Sequence, residues 1–296
     1  MPDRELCRVA KAYSRLGQSS ATSMELGFSR SRLLGIGLEY ADFREYQEGD
    51  DVRYIDWRLS ARSIDTVTGG YRLYTKLFHV EHMKDIVFVA DLTESMLEEE
   101  KVAALFYTSS LLLELSHRLA DRITLITLSN DVGILRGLRG REAAKVVESM
   151  VCRRGAVGGR ASIDRVVGLL KTIVRKSTAA VMITDYAHDV EEFKPLIKLR
   201  RALMMPIALY ITVGRWEVEK PVDRARVMLI DAESGEPIFE DLNEIYRAIK
   251  IHINHVKALL TAGGISYIEI QGARDAQNKV VKIAEIYLKT RQRQPT

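Results

Sequence analysis

A run of apolar residues that ends in an aspartate constrains the fold of this chain more than any other feature. Residues 86–90 are apolar without alternation, and Asp91 follows them directly. An unbroken apolar run of this length is typical of a strand buried on both faces of a parallel sheet. Strand and helix patterns alternate from residue 85 onward. They predict an α/β fold with a mostly parallel, doubly wound central sheet and helices on both faces.

Side-chain oxygens follow this strand at alternate positions. Asp91, Thr93 and Ser95 precede a predicted helix that begins near residue 98. Open α/β sheets bind ligands beyond the carboxyl ends of their strands, and oxygen ligands suit a hard cation such as Mg²⁺. A second apolar strand, residues 180–184, also ends in an aspartate, Asp185. We therefore predict two carboxylates at one edge of the sheet.

Length and composition are those of an ordinary globular protein. The chain has 296 residues, 47% hydrophobic and 28% charged, and a formal net charge of +4 that is too small to indicate a partner. The most apolar helical stretch, residues 102–115, is shorter than the roughly 20 residues that a bilayer span requires. No secretion signal is evident at the N-terminus. We expect a cytoplasmic protein without a membrane span, in which Cys7 and Cys152 are reduced.

The N-terminal 84 residues precede the alternating pattern. Residues 3–16 have the apolar spacing of a short helix, and residues 17–31 are rich in serine and glycine, which predicts a loop or irregular strand. We divide the chain into this extension, residues 1–84, an α/β domain, residues 85–290, and a frayed tail, residues 291–296.

A segment of the extension is dense in charged and aromatic residues. Its carboxylates and arginines alternate, and carboxylates paired in this way have depressed pKa values and make poor acids or bases near neutral pH. We interpret the set as a structural ion-pair network beside buried rings that ties the extension to the sheet. The residues of this segment that we single out are Gly49, Asp50, Asp51, Arg53, Asp56, Trp57 and Arg62.

The loops after the two strands resemble the metal-ion-dependent adhesion site of a von Willebrand factor A domain. That site reads Asp-x-Ser-x-Ser on a first loop, Thr on a second and Asp on a third, and this chain has Asp91-Leu-Thr-Glu-Ser95 and Ile183-Thr-Asp185. The resemblance implies a von Willebrand factor A-like fold. It also implies Mg²⁺ or another divalent cation bound by Asp91, Thr93, Ser95 and Asp185, with an open position for an acidic side chain of another protein.

The second loop departs from this pattern. If Ile163 lies on the buried face of the following helix, Ala161 stands where the adhesion site has its threonine. Either Ser162 supplies the missing oxygen through a shifted loop, or that ligand is absent.

Flanking segments resemble domain-of-unknown-function family 58, whose members carry a von Willebrand A-like domain. The matching runs are Tyr46-Gln-Glu-Gly-Asp-Asp-Val-Arg-Tyr-Ile-Asp-Trp57, Ser60-Ala-Arg62 and Asp231-Ala-Glu-Ser-Gly-Glu236. Such proteins look like partners of MoxR-type AAA+ ATPases. The resemblance therefore implies a non-enzymatic adaptor that binds such an ATPase or its client protein through the edge carrying Asp91.

Two other functions stay open. Haloacid-dehalogenase-like phosphatases use an aspartate at the position of Asp91 as nucleophile in Mg-dependent phosphoryl transfer, but Thr93 stands where they place a second aspartate. Basic residues outnumber acidic ones in residues 136–165, which would suit nucleic acid, although no aromatic residues suited to base stacking are interleaved there. These basic residues are Arg136, Arg139, Arg141, Lys145, Arg153, Arg154, Arg160 and Arg165.

Overall fold

The chain forms two units, Met1–Ser23 together with Met83–Thr296, and Met24–His82. The first helix therefore groups with the larger unit, whereas the predicted extension, residues 1–84, included it. The computed structural model describes residues 3–27, 40–48, 50, 52, 55–63, 72–78, 83–153, 155–173, 178–219, 226–230 and 237–292.

Helices and strands alternate along the larger unit, as the sequence predicts. In chain order the elements are α1 (Asp3–Gly27), β1 (Tyr40–Glu45), α2 (Trp57–Ser60), β2 (Tyr74–Phe78), β3 (Asp85–Asp91), a 3-10 turn (Glu94–Leu97), α3 (Glu99–Arg118), β4 (Arg122–Leu128), β5 (Val132–Leu138), α4 (Gly140–Val151), α5 (Ile163–Ile173), β6 (Thr178–Thr184), α6 (Val190–Leu203), β7 (Ile207–Val213), α7 (Arg215–Val218), β8 (Arg226–Ile230), β9 (Pro237–Asp241), α8 (Leu242–Gly263), β10 (Ser266–Gln271), α9 (Gly272–Asn278) and α10 (Val280–Gln292).

The central sheet has six strands in the order β10-β7-β6-β3-β4-β5. All neighbours are parallel except β5, which pairs antiparallel with β4 through a short connection. Strand β3 lies between β6 and β4, and every residue of β3 after Asp85 is buried. The predicted α/β fold and mostly parallel sheet are confirmed.

Helices cover both faces of this sheet. Val87 and Val89 point to one face, where they join the apolar cluster formed with α5, α6 and α8. Alternate residues of a strand point to opposite faces, and on the other face the Tyr210 hydroxyl donates a hydrogen bond to the Ile283 carbonyl of α10. Helix α3 packs on this second face with α4, α9 and α10. None of the helices in the described part of the chain has the length and hydropathy that a bilayer span requires.

Helix α1 is longer than the sequence predicts, because residues 17–27 continue the helix instead of forming a loop. Gly17 packs against α3 so closely that a Cβ atom there would lie 2.2 Å from the carbonyl oxygen of Tyr107. One turn further, Ser20 accepts a hydrogen bond from the Tyr107 hydroxyl at 2.9 Å. The small residues that suggested a loop therefore form the face by which α1 contacts α3.

A disulfide bond joins Cys7 of α1 to Cys152 at the end of α4, with an S–S distance of 2.04 Å. The prediction of two reduced cysteines is therefore wrong. The two residues are 145 positions apart, and helix packing brings their Cα atoms to 4.7 Å.

The end of α10 also differs from expectation. The predicted frayed tail begins at Arg291, but Arg291 lies in the helix and is buried. Its Nε atom donates hydrogen bonds to both carboxylate oxygens of Asp121, at 3.0 and 2.9 Å. This buried pair fixes α10 next to the start of β4.

In the smaller unit, β1 and β2 form an antiparallel pair. Asp50 accepts hydrogen bonds from Arg44 and from the Gln47 backbone, and Asp56 caps α2 by accepting from the backbone N–H groups of Arg58 and Leu59. These carboxylates stabilise local turns within the unit.

Trp57, predicted to be a buried ring, has 64% of its surface exposed because it begins the short helix α2. Arg62 is also exposed. Gly49, Asp51 and Arg53 lie outside the described residues, and the link from this network to the sheet stays a prediction.

Candidate functional site at the carboxyl ends of β3 and β6

Strands β3 and β6 are parallel neighbours, and their carboxyl ends form one edge of the sheet. Ala90 pairs with Ile183 in the register of the two strands, so Asp91 and Asp185 emerge close together, as predicted. Both carboxylates are fully buried. A buried carboxylate has to be paired or hydrogen-bonded, and the partners of these two define the site.

Asp91 accepts two hydrogen bonds at each oxygen. Oδ1 accepts from the backbone N–H of Thr93 at 3.0 Å and from its hydroxyl at 2.6 Å. Oδ2 accepts from the Thr184 hydroxyl and from Nε2 of His188, both at 2.7 Å. Burial acts to raise the pKa of Asp91, but the bonds from His188, Thr93 and Thr184 outweigh it and lower the pKa. Asp91 is therefore a carboxylate whose acceptor positions are occupied.

His188 lies between two carboxylates. Its Nε2 contacts Asp91, and its Nδ1 lies 3.5 Å from Oε2 of Glu192. Burial acts to lower the pKa of His188, but the bonds to Asp91 and Glu192 raise it to about 10. Burial acts to raise the pKa of Glu192. Its hydrogen bonds with His188, Ser162 and the Ile163 backbone outweigh this effect and lower the pKa to about 2. The imidazole is thus a cation at neutral pH.

Asp185 pairs with a different buried cation, Lys101 of α3. The Nζ atom of Lys101 lies 2.8 Å from Oδ2 of Asp185 and 2.8 Å from Oε1 of Glu217. Oδ1 of Asp185 accepts from the Ala187 backbone at 2.9 Å. Burial acts to lower the pKa of Lys101, but the two carboxylates outweigh it and raise that pKa. Burial also raises the pKa of Glu217. Lys101 is therefore a charged lysine in the core of the larger unit.

The remaining predicted ligands divide into two groups. The hydroxyls of Thr93 and Ser95 lie 3.4 Å apart on the first loop. Ser162 instead accepts from the Asp164 backbone at the start of α5 and contacts Glu192. Ala161 is buried in the apolar cluster and offers no side-chain oxygen. The structure thus brings Asp91, Thr93, Ser95 and Asp185 together and gives Ser162 other partners.

Sequence reasoning missed His188, Lys101 and Glu217. A signal existed for Lys101, because it directly precedes the apolar run of residues 102–106, and a lysine buried with such a run needs a paired charge. His188 gave a weaker signal, three residues beyond Asp185. Both contacts join positions far apart in the chain, 84 residues for Lys101 with Asp185 and 97 for His188 with Asp91.

Asp91, Asp185 and His188 could bind a metal ion. Each offers one ligand atom, and these atoms lie within 4.8 Å of one another. Two carboxylates and an imidazole suit a divalent transition metal. Such an ion would require His188 to lose its proton and would share Asp185 with Lys101, which donates to its Oδ2 atom.

The adhesion-type Mg²⁺ site implied by the resemblance does not fit this arrangement. The Thr93 hydroxyl already donates to Asp91, and the two carboxylates that would hold the ion face His188 and Lys101. A bound Mg²⁺ would add two positive charges next to two cations.

A pocket of about 240 Å³ opens beside His188. It lies between the start of α5 and the loop that precedes α6. Two backbone hydrogen bonds hold the second loop to the first, from Gly158 to Leu92 and from Glu94 to Gly159. The residues that line the pocket are Arg160, Ala161, Ser162, Arg165, Ala187, His188 and Glu192. The pocket is therefore part of the same edge as Asp91 and Asp185.

The basic residues of 136–165 that the structure describes do not form one group. Arg141 pairs with Glu114 at 2.7 Å, and Arg139 donates to the Ala120 carbonyl. Arg136 lines a separate pocket with Asp85 at the amino end of β3, whereas Arg160 and Arg165 line the pocket at the carboxyl edge. This separation does not favour a continuous nucleic-acid surface.

Comparisons with known proteins address the family of this chain. Solved structures with similarity include an aerotolerance-related membrane protein from Bacteroides fragilis NCTC 9343, with 18% identity, 69% of this chain and 98% of that chain covered, and a TM-score of 0.43. BatB from Bacteroides thetaiotaomicron has 14% identity, coverages of 70% and 99%, and a TM-score of 0.37. The human COPII-coat protein Sec24c has 10% identity, coverages of 71% and 32%, and a TM-score of 0.34.

Comparison with curated proteins gave no match. The family model described as "Protein of unknown function DUF58" matches residues 42–252, which is more than half of the chain. This chain belongs to the DUF58 family.

Proposed function

We propose that this protein is a non-enzymatic interaction module that binds another protein through the edge formed by the carboxyl ends of β3 and β6. The observation that most supports this proposal is that the hydrogen-bonding capacity of Asp91 is satisfied within the chain: each of its two oxygens accepts two hydrogen bonds. A group satisfied in this way stabilises a fixed surface and is poorly suited to take part in a reaction.

The alternative of phosphoryl transfer is disfavoured by the same contacts. A nucleophilic aspartate needs an oxygen that can approach phosphorus, and Asp91 is fully buried. Protonated His188 next to it cannot act as a general base near neutral pH. Thr93 uses its hydroxyl as a donor to Asp91 and provides no acid in place of the second aspartate.

The partner that we propose is an AAA+ ATPase of the MoxR type, or a client protein of such an ATPase, in the cytoplasm. This choice rests on the family resemblance. Whatever the partner, the second loop is held to the first by backbone hydrogen bonds, which supports a preformed binding surface with little ordering cost.

Affinity purification from the native cell tests this proposal. Ala187 is exposed and lines the pocket, so Ala187→Trp should block the edge without removing a buried contact. Lys171→Trp, at an exposed position near the other end of α5, is the matched control. Mass spectrometry identifies the proteins retained with and without ATP, and binding is then repeated with the purified partner.

We expect the wild type and Lys171→Trp to retain the same ATPase, and Ala187→Trp to lose at least nine-tenths of it. Equal retention by Ala187→Trp would contradict the proposed edge. Turnover of generic phosphate esters in the presence of Mg²⁺, lost in Asp91→Asn, would contradict the non-enzymatic function.

A further inference from the structure

We infer that a pocket at the amino ends of β3, β4 and β6 binds a small phosphate monoester, whose phosphate group lies against Arg122 and Arg136. The apolar body of this ligand lies against Val87 and Ile173. The pocket has a volume of about 320 Å³ and is closed by β5 and the end of α5. It lies at the edge of the sheet opposite to Asp91, so the inference goes beyond the proposed function and does not depend on it.

The strand register places polar side chains on a face of the sheet that is otherwise apolar. Thr178, Asp85 and Arg122 are the first residues of their strands and pair with one another across β6, β3 and β4. Two residues further along, Thr124 pairs with Val87. Val87 belongs to the apolar cluster beneath α5, and alternation along the strands puts all five side chains on that same face. The face therefore changes from apolar to polar where the pocket opens.

A β-bulge in β5 brings a second guanidinium group to this face. The pairing of β5 with β4 shifts register between Ile123 and Leu125. Arg136 and Gly137 together therefore lie opposite the single residue Thr124. Gly137 has a φ of 75°, a conformation that glycine adopts without steric cost. Bulges re-aim side chains and are common beside functional sites, and here both residues of the bulge line the pocket.

The donors of this pocket are available to a ligand. Arg136 is exposed, and neither its guanidinium group nor the Thr124 hydroxyl bonds to any residue that the structure describes. The Nε atom of Arg122 lies 3.9 Å from Oδ1 of Asp85, which is beyond hydrogen-bond distance. The Asp85 carboxylate thus holds Arg122 near the pocket without occupying its donors. With Asp85 included, the charged side chains of the pocket leave a net positive charge that favours an anion.

The number of donors and the size of the pocket favour a phosphate monoester over a carboxylate. One planar guanidinium fork matches the two oxygens of a carboxylate. A phosphate group has three terminal oxygens and a charge of about −1.5 to −2 near neutral pH, so it can accept from two guanidinium groups and the Thr124 hydroxyl. The volume of about 320 Å³ lies within the roughly 300–1,000 Å³ of pockets that enclose small molecules. Val87 and Ile173 line the same pocket, which favours an organic phosphate over the free ion.

An NMR titration of the full chain tests this inference. The probe is phenyl phosphate. Benzoate lacks its phosphate group, inorganic phosphate lacks its apolar body, and phenol lacks its charge. The signals followed are the Nε–Hε groups of Arg122 and Arg136. The variants are Arg136→Gln, Thr124→Val and the control Arg274→Gln, which changes an exposed arginine of α9 on the other face of the sheet.

We expect phenyl phosphate to shift both signals saturably, benzoate and inorganic phosphate to bind more weakly, and phenol to cause no shift. Arg136→Gln should weaken the binding of phenyl phosphate at least about tenfold through the loss of charge-assisted hydrogen bonds. Thr124→Val should weaken it by a smaller factor, and Arg274→Gln should leave it unchanged. Benzoate or inorganic phosphate binding as tightly as phenyl phosphate, an equal loss in Arg274→Gln, or no saturable shift up to about 20 mM would overturn the inference.

Discussion

Asp91 and Asp185 show how two carboxylates can be buried at one edge of a sheet. An isolated buried charge carries a large desolvation cost, and each carboxylate here is paired with a cation from a different element, His188 or Lys101. Hydroxyl and backbone N–H groups satisfy the other oxygens. Because each group orients the next, loss of one member should affect the whole set.

Lys101→Met tests this network at its most buried cation. The substitution leaves Asp185 and Glu217 buried without a positive charge, so we expect the free energy of unfolding to fall by about 3–5 kcal/mol. Adding Asp185→Asn and Glu217→Gln removes both charges and should recover most of that loss. Urea unfolding followed by circular dichroism compares the three proteins. A triple variant no more stable than Lys101→Met would show that charge pairing is not the cause.

His188 should make the stability depend on pH. Its pKa is raised to about 10 in the folded chain, against about 6.5 when unfolded. The stabilisation is therefore complete below pH 6.5 and is lost as the pH rises through about 10, at up to about 1.4 kcal/mol per pH unit. Urea unfolding from pH 6 to 10 should show a shallower decline for His188→Gln than for the wild type. The exposed His255→Gln should behave as the wild type, and equal slopes for all three would contradict the assignment.

At the scale of elements, the contact between α1 and α3 explains a long helix that its sequence does not suggest. Sixteen consecutive residues of α3, from Lys101 to Ser116, are buried, so the sheet alone cannot cover it. Helix α1 covers part of the remainder by close approach at Gly17 and by the bond between Ser20 and Tyr107.

Gly17→Ala should weaken this contact. A Cβ at Gly17 would lie 2.2 Å from a backbone oxygen of α3, which a side-chain rotation cannot relieve, so we expect a loss of about 1–3 kcal/mol. Gly168→Ala on α5 is the matched control, because nothing lies within 4 Å of its Cβ position. That control should be neutral or gain about 0.5–1 kcal/mol through helix propensity. Thermal melts measure the stability of both variants. A loss of stability in Gly168→Ala but not in Gly17→Ala would contradict the packing role of Gly17.

Local pattern predicts some elements of this chain and not others. The strands β3 and β6 could be predicted because burial on both faces requires an unbroken apolar run, and both aspartates follow from where those runs end. The full length of α1 could not be predicted, because glycine and serine favour a loop locally. They form one face of a helix here because that face packs against α3. The cations His188 and Lys101 were missed for the same reason, because their partners lie in other elements.

At the scale of the whole molecule, the larger unit is discontinuous in sequence. Residues 1–23 belong to it with residues 83–296, and residues 24–82 form the other unit. Leu6, Ala10 and Ala21 of α1 are buried, and the disulfide from Cys7 to Cys152 joins α1 to α4. The first helix is thus a structural part of the α/β unit, although a whole second unit separates the two in the chain.

Two deletions should therefore have opposite effects. Replacing residues 24–82 by a flexible Gly/Ser linker of about 20 residues, with a mean span of roughly 25 Å, should leave a unit that unfolds cooperatively and keeps the disulfide. Removing residues 1–23 instead uncovers α3 and deletes Cys7, so we expect a loss of at least about 3 kcal/mol, or roughly 6–12 °C in Tm. Circular dichroism melts, with mass spectrometry under non-reducing conditions, compare the two proteins. If the linker variant failed to fold while the truncated chain kept the Tm of the wild type, helix α1 would belong with residues 24–82.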